Sequence, residues 1–192
     1  MRLLGAVLAG GQARRFGGDK ALADVGGQTM IDAVIARLVP QCTTVVVVGR
    51  VHADWPALAD RPAGGAGPLA ALGAALHHAA ATGFDAVLSA PCDVPDLPDD
   101  LVQRLGEGPV VVAGQPVVGL WPARLAAPLD AWLAAGERSV RGFAAAVGAR
   151  AIALPLANIN SAADLAAWRT AHPAGSSPSS TGRASSLSTQ PG

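Results

Sequence analysis

Thr43-Thr44-Val45-Val46-Val47-Val48 is apolar without alternation from Val45 onward and ends on Gly49. A strand with one wet face alternates polar and apolar side chains. A strand buried on both faces does not, and parallel sheets covered by helices are built from this second kind. Outward from this run, strand-like and helical segments take turns. Leu3 to Leu8 and a helical Met30 to Leu38 precede it. A helical Leu69 to Ala81, a strand-like Ala86 to Ala90, a helical Pro98 to Leu105 and the pair Pro109 to Ala113 and Val117 to Trp121 follow. The pattern predicts an α/β chain folded as a three-layer α/β/α sandwich around a mostly parallel sheet.

The 192 residues are enough for one domain, and at this length roughly 70% of the unfolded surface is buried on folding. A hydrophobic fraction of 51% with 4% aromatics makes the core one of Ala, Val and Leu, with no stacking surface for bases. Lys+Arg and Asp+Glu balance at 14 each, so no global field draws the chain to nucleic acid or to anionic lipid. Met1 to Ala9 carries a short apolar run that leads straight into a Gly/Arg-rich loop, which reads as a cytoplasmic strand and not as a signal peptide. Ala70 to Ala81 is interrupted by Gly73, His77 and His78, so no stretch is apolar for long enough to span a bilayer. The two histidines read as surface or satisfied helix residues. Cys42 and Cys92 fall in separate core segments and are expected as reduced thiols. After Ala149 to Pro155, Ser161 is placed to cap a last helix running to about Arg169, with Asp164 an imperfect substitute for the Glu or Gln of a capping box. Residues 1–171 are read as the single domain. Residues 172–192, dominated by Ser, Pro and Gly, are read as a disordered tail.

Two long loops, Gly10 to Gly27 and Trp55 to Gly67, follow the carboxyl ends of strands, where open α/β sheets bind ligands. Gly10-Gly11 lets backbone approach a ligand closely, and amides exposed in such a turn form an anion-binding concavity. Arg14, Arg15 and Lys20 add three cations against one acid, Asp19, and a triphosphate is the simplest ligand to use them all. Taken alone, the glycines and arginines also fit a solvated turn. The loop is neither a Walker A sequence nor a G-x-G-x-x-G fingerprint. The strand Phe84 to Ala90 delivers Pro91-Cys92-Asp93-Val94-Pro95 to the same edge, with Asp93 between two prolines. Mg²⁺ takes one or two carboxylates plus substrate phosphates, so Asp93 suits it; a turn-capping role before Pro95 is the alternative. Cys92 reads as buried filler. Gly67-Pro68 has a plain reading as a helix start.

The string Leu8-Ala9-Gly10-Gly11-x-x-x-Arg15-Phe16-Gly17-x-Asp19-Lys20 resembles the signature of the MobA-like nucleotidyltransferases, which include molybdenum cofactor guanylyltransferases and related cytidylyltransferases. The resemblance implies a Rossmann-like fold. It implies that Leu8, Ala9, Gly10 and Gly11 line the nucleotide, that Arg15 and Lys20 stabilise charge on the phosphates, and that Asp93 binds Mg²⁺. Asp60, ahead of Gly67-Pro68-Leu69, matches a family Asp that contacts the nucleotide. Gly136-Glu137-Arg138-Ser139-Val140-Arg141 and Asn158-Ile159-Asn160 are similar to segments on the pterin side, so Arg138, Arg141, Asn158 and Asn160 are implied pterin-substrate residues. The chain departs from the pattern at Val47, where the family carries an asparagine, and at Gln115-Pro116, where many relatives carry His-Pro.

The reaction so implied is attack by the terminal phosphate of molybdenum-bearing molybdopterin on the α-phosphorus of Mg·GTP, releasing pyrophosphate. Its alternatives are a CTP-dependent cytidylyltransferase, a sugar-1-phosphate nucleotidyltransferase and a non-enzymatic nucleotide-binding partner of molybdoenzymes. GTP and molybdopterin are the implied small-molecule partners, with molybdenum-insertion proteins and molybdoenzyme chaperones as protein partners. A cytoplasmic monomer that engages neither nucleic acid nor membrane is expected.

Overall fold

Among the described residues six of the seven strands run in one direction, and helices between most of them return the chain to the same edge. The structure is a computed structural model that describes residues 1–10, 18–62 and 67–172. Its strands are β1 (Leu3–Leu8), β2 (Thr44–Val48), β3 (Ala57–Leu58), β4 (Ala86–Pro91), β5 (Val110–Val112), β6 (Gln115–Pro122) and β7 (Arg150–Ile152), in spatial order β3-β2-β1-β4-β6-β5-β7. Only β6 is antiparallel to its neighbours. The chain moves outward from β1 to β2 and β3, then crosses back to lay β4 on the other side of β1. That reversal opens a crevice at the carboxyl ends of β1 and β4.

The unbroken apolar runs are explained by two covered faces. Leu4, Ala6 and Leu8 of β1, with Val46 and Val48 of β2, pack under α2 (Pro68–Thr82), α4 (Ala126–Ala134) and α5 (Val140–Ala146). Leu3, Val7, Val45 and Val47 face the opposite layer, α1 (Met30–Leu38) and α3 (Leu101–Leu105). The expected sandwich is therefore present. A third, smaller cluster seats Leu165 of α6 (Ala162–Ala171) and Ile159 against Met30, Ala33 and Val25. The alanine and glycine content of α2 lets backbones close up. A Cβ on Gly73 would lie 2.8 Å from the Arg61 carbonyl oxygen.

Several element boundaries differ from the sequence reading. The helix expected over Pro98 to Leu105 begins only at Leu101, after Asp100. The capping box of α6 is complete despite its Asp: Ser161 N–H donates to Asp164 Oδ2 at 2.9 Å and Asp164 N–H to Ser161 Oγ at 3.1 Å. The extended backbone of Ser161 brings the shorter carboxylate within reach. Helices α4 and α5 were not foreseen. Ser139 caps α5 by accepting from Gly142 N–H at 3.0 Å. His77 sits on α2 with its Nε2 2.8 Å from Asp130 Oδ2 of α4, a satisfied helix residue. Neither cysteine is in a disulfide, and burial pushes the Cys42 thiol up to about 12. Among the described residues no helix is long and apolar enough to cross a membrane. The tail beyond His172 lies outside the described residues.

Ser89 is the one buried polar residue among those described. Its hydroxyl donates to the Val117 carbonyl at 2.6 Å and accepts from Trp121 Nε1 at 2.9 Å, tying β4 to β6. Trp121 is fully buried and stacks on Phe143 of α5, ring centroids 5.8 Å apart. Ser89→Ala leaves that indole N–H without a partner and is expected to destabilise the fold by about 1–3 kcal/mol. A thermal melt checks it, and an unchanged Tm would count against the bridge.

Candidate active site

At the crevice a cavity of about 570 Å³ opens, a size suited to a nucleotide. Its floor is made where β1 and β2 leave the sheet. Ala9 N–H donates to the Val48 carbonyl at 2.9 Å, so the two strands remain paired to their last residues. Gly10 and Gly49 then meet backbone to backbone. A Cβ on Gly49, whose φ is +89°, would lie 2.5 Å from Gly10 Cα and 2.7 Å from Gly10 N. A Cβ on Gly10 would lie 3.1 Å from Asp60 Oδ2. The absence of side chains at both positions is what lets Asp60 reach the floor. Its Oδ1 is buried with no hydrogen-bond partner among the described residues. A buried carboxylate oxygen without a donor is costly, which makes Asp60 an acceptor ready for a ligand's N–H or O–H.

The far wall comes from β4. Cys92 N–H donates to the Leu8 carbonyl at 3.2 Å, which fixes the Pro91 to Asp93 turn beside the end of β1. Asp93 there meets Lys20, Nζ to Oδ2 2.8 Å, with side chains 22% and 13% exposed. Lys20 also donates to Asn160 Oδ1 at 2.9 Å. Burial pushes the Cys92 thiol up to about 11, so it stays neutral and serves as lining, in line with its reading as filler.

Lys20 opens a short 3₁₀ turn, Lys20–Leu22, capped by Asp19, which accepts from Ala21 N–H at 3.2 Å. Asp19 is held in turn by Arg50, whose Nη1 donates to Oδ1 at 2.9 Å and whose Nη2 donates to Oδ2 at 2.5 Å. The hydrogen bond from Arg50 holds the Asp19 carboxyl below its ordinary range, and the same bond raises Arg50. The loop carrying Arg50 is steadied by His52, whose Nε2 lies 2.7 Å from Asp32 Oδ1 on the first turn of α1.

The structure thus brings Leu8, Ala9, Gly10, Lys20, Asp60, Asp93 and Asn158 to one cavity, and Asn160 to Lys20 at its edge. Gly11 and Arg15, with Arg14, lie outside the described residues. Arg138 and Arg141 do not line the cavity. They follow the nine-residue α4, and both are exposed. Arg138 donates to the Leu133 and Glu137 carbonyls at 2.9 and 2.7 Å, closing the carboxyl end of α4. Val47 is fully buried on the α1 side of the sheet and does not line this cavity. Asp19, Gln115 and Val117 line the cavity without having been singled out for it. Gln115 and Val117 are there because β6 alone runs antiparallel, so its first residues lie where the other strands end. The sequence signal for Gln115 was its place at the Gln-Pro departure.

Among the described residues no three His, Cys, Asp or Glu side chains cluster as a metal site. A divalent ion here would take Asp93 as its hard oxygen ligand and draw the rest from phosphate and water, the usual arrangement for Mg²⁺.

Residues 5–151 match the MobA-like NTP transferase domain. A relative from Cereibacter sphaeroides, named molybdenum cofactor guanylyltransferase, is 42% identical over 185 residues, covering 86% of this chain and 95% of the relative. The crystal structure of molybdopterin-guanine dinucleotide biosynthesis protein A from Archaeoglobus fulgidus superposes with a TM-score of 0.68 at 20% identity, covering 88% of this chain and 97% of that one. A Mycobacterium tuberculosis protein solved in complex with manganese superposes with a TM-score of 0.59 at 14% identity, covering 88% and 98%. The chain belongs to the MobA-like NTP transferase family.

Proposed function

We propose that the chain transfers GMP from Mg·GTP to the terminal phosphate of molybdenum-bearing molybdopterin. The products are pyrophosphate and the guanine dinucleotide form of the cofactor. The observation that carries this reading is the cavity that joins Gly10, Asp60, Lys20 and Asp93 at the carboxyl ends of β1 and β4, in a chain 42% identical to a molybdenum cofactor guanylyltransferase.

In this reading Leu8, Ala9, Gly10 and Gly11 form the nucleotide bed and Asp60 accepts from the nucleoside. Asp93 holds the divalent ion. When bound, that ion neutralises phosphate charge and orients the triphosphate. Lys20 and Arg15 meet the charge that builds on the phosphates as the α-phosphorus is attacked. The acceptor's phosphate oxygen forms the new bond to the α-phosphorus, and the bond to the β-phosphate oxygen breaks with its electrons leaving on pyrophosphate. A phosphate monoester with a second pKa of about 6 is already largely a dianion at neutral pH. No general base is needed, which fits a cavity without a lining histidine among the described residues. Asn158 and Asn160, with the exposed Arg138 and Arg141, are assigned to the pterin side; two guanidinium groups suit the acceptor's phosphate. This work is positioning and charge stabilisation.

A CTP-dependent version is the second reading, and Val47, buried away from the cavity where the family carries an asparagine, does not choose between the bases. Calorimetry with GTP, CTP and ATP in the presence of Mg²⁺ decides between them. GTP is expected to bind best, and equal affinities would sink the guanine assignment. Asp93→Asn removes the ionic ligand while keeping its shape and is expected to lower kcat on the order of 100-fold or more. Pyrophosphate release measures it; undiminished activity would remove Asp93 from the mechanism.

A further inference from the structure

Lys20 is the most constrained cation of the cavity, and its partners are unequal. One is the charged Asp93 Oδ2 at 2.8 Å, the other the neutral Asn160 Oδ1 at 2.9 Å. An ammonium has three donors on a flexible four-carbon stem, so where it rests depends on its acceptors. Asp93 is also the carboxylate on which a divalent ion would sit. An ion arriving there competes with the ammonium for the same oxygen and repels it, and a lysine with no other acceptor withdraws into water.

Asn160 is unusually well placed to prevent that. Its own backbone N–H donates to Asp164 Oδ2 at 2.9 Å, one of two amides that this carboxylate receives in the capping box of α6. The Asn160 amide holds the Asp164 carboxyl below its ordinary range, and the Lys20 charge adds to this. Ile159, the preceding residue, is 2% exposed, and its N–H donates to the Asp93 carbonyl at 2.9 Å. Backbone bonds on either side therefore fix Asn160 relative to both Asp93 and α6. The amide is neutral, so it holds the ammonium without offering the ion a second anionic ligand or cancelling the charge meant for phosphate.

We propose that Asn160 is a positioning residue for Lys20. It keeps the ammonium at the cavity edge when Asp93 is taken by a divalent ion, so that Lys20 remains aimed at the triphosphate. This rests on the reading of Lys20 and Asp93 as triphosphate and metal contacts, and it gives Asn160 a role that needs no pterin.

The test is calorimetry of Mn·GTP and Mn·CTP binding, without any pterin, to the wild type, Asn160→Ala, Lys20→Ala and the double variant. Asn160 is exposed and its backbone bonds survive truncation, so the single variant is expected to melt as the wild type does. Asn160→Ala is expected to weaken the preferred Mn·nucleotide about 10-fold, the scale of a lost hydrogen bond to a charged group. In the Lys20→Ala background the same change is expected to cost nothing further, because the residue acts through the ammonium. Equal losses in both backgrounds, or no loss of Mn·nucleotide affinity, would overturn the proposal and leave Asn160 to the pterin. A wild type that binds neither nucleotide would overturn the nucleotide reading as well.

Discussion

The crossing of Gly10 over Gly49 sets the geometry on which the site depends. Two paired parallel strands ordinarily diverge at their ends, because each next side chain needs room. Here neither residue has one, and the backbones close to a separation that a single Cβ would forbid. Asp60 fills the space left beside them. The Arg50 that follows Gly49 is carried across to Asp19, and so the loop after β2 holds the turn that presents Lys20.

The charges of the cavity are arranged in pairs that cross the chain. Arg50 answers Asp19, Lys20 answers Asp93, and Asp60 alone among the described carboxylates keeps a buried oxygen without a donor. An anionic ligand entering such a site meets cations that already have acceptors, and must win them from carboxylates in partial desolvation. On the proposed reading such a site would favour a polyanion that brings a divalent ion, since the ion would compensate the carboxylate that loses its lysine.

Much of this was legible in the residues. The both-face burial of Val45 to Val48 identified the layered sheet, because period and covering are linked. Met30 to Leu38 was placed to the residue, since its apolar positions repeat on one face and Thr29 caps it. The signature, with Asp60 and Asp93, pointed to one edge. Helices α4 and α5 were not legible. In α4 only Ala126, Leu129 and Leu133 are buried and an exposed Pro128 sits in the first turn, while α5 carries Gly142 in its first turn. Strand β3 is two residues long and exists through pairing to β2. The Lys20–Asn160 bond joins positions 140 residues apart, and the Arg50–Asp19 pair joins positions 31 apart. No periodicity records such contacts; only the closed topology brings them together.

The bond from Ile159 to Asp93 carries a further meaning for how the site is put together. The candidate nucleotide loops all belong to the first half of the chain, yet the Asp93 backbone carbonyl and the Lys20 ammonium find partners in residues near 160. These partners follow every one of those loops in chain order, so the site is complete only once residues 159–160 lie against the loops. The candidate site is a seam between these loops and the segment at Ile159 and Asn160, and a variant lacking that segment would keep the pieces of the site without the join.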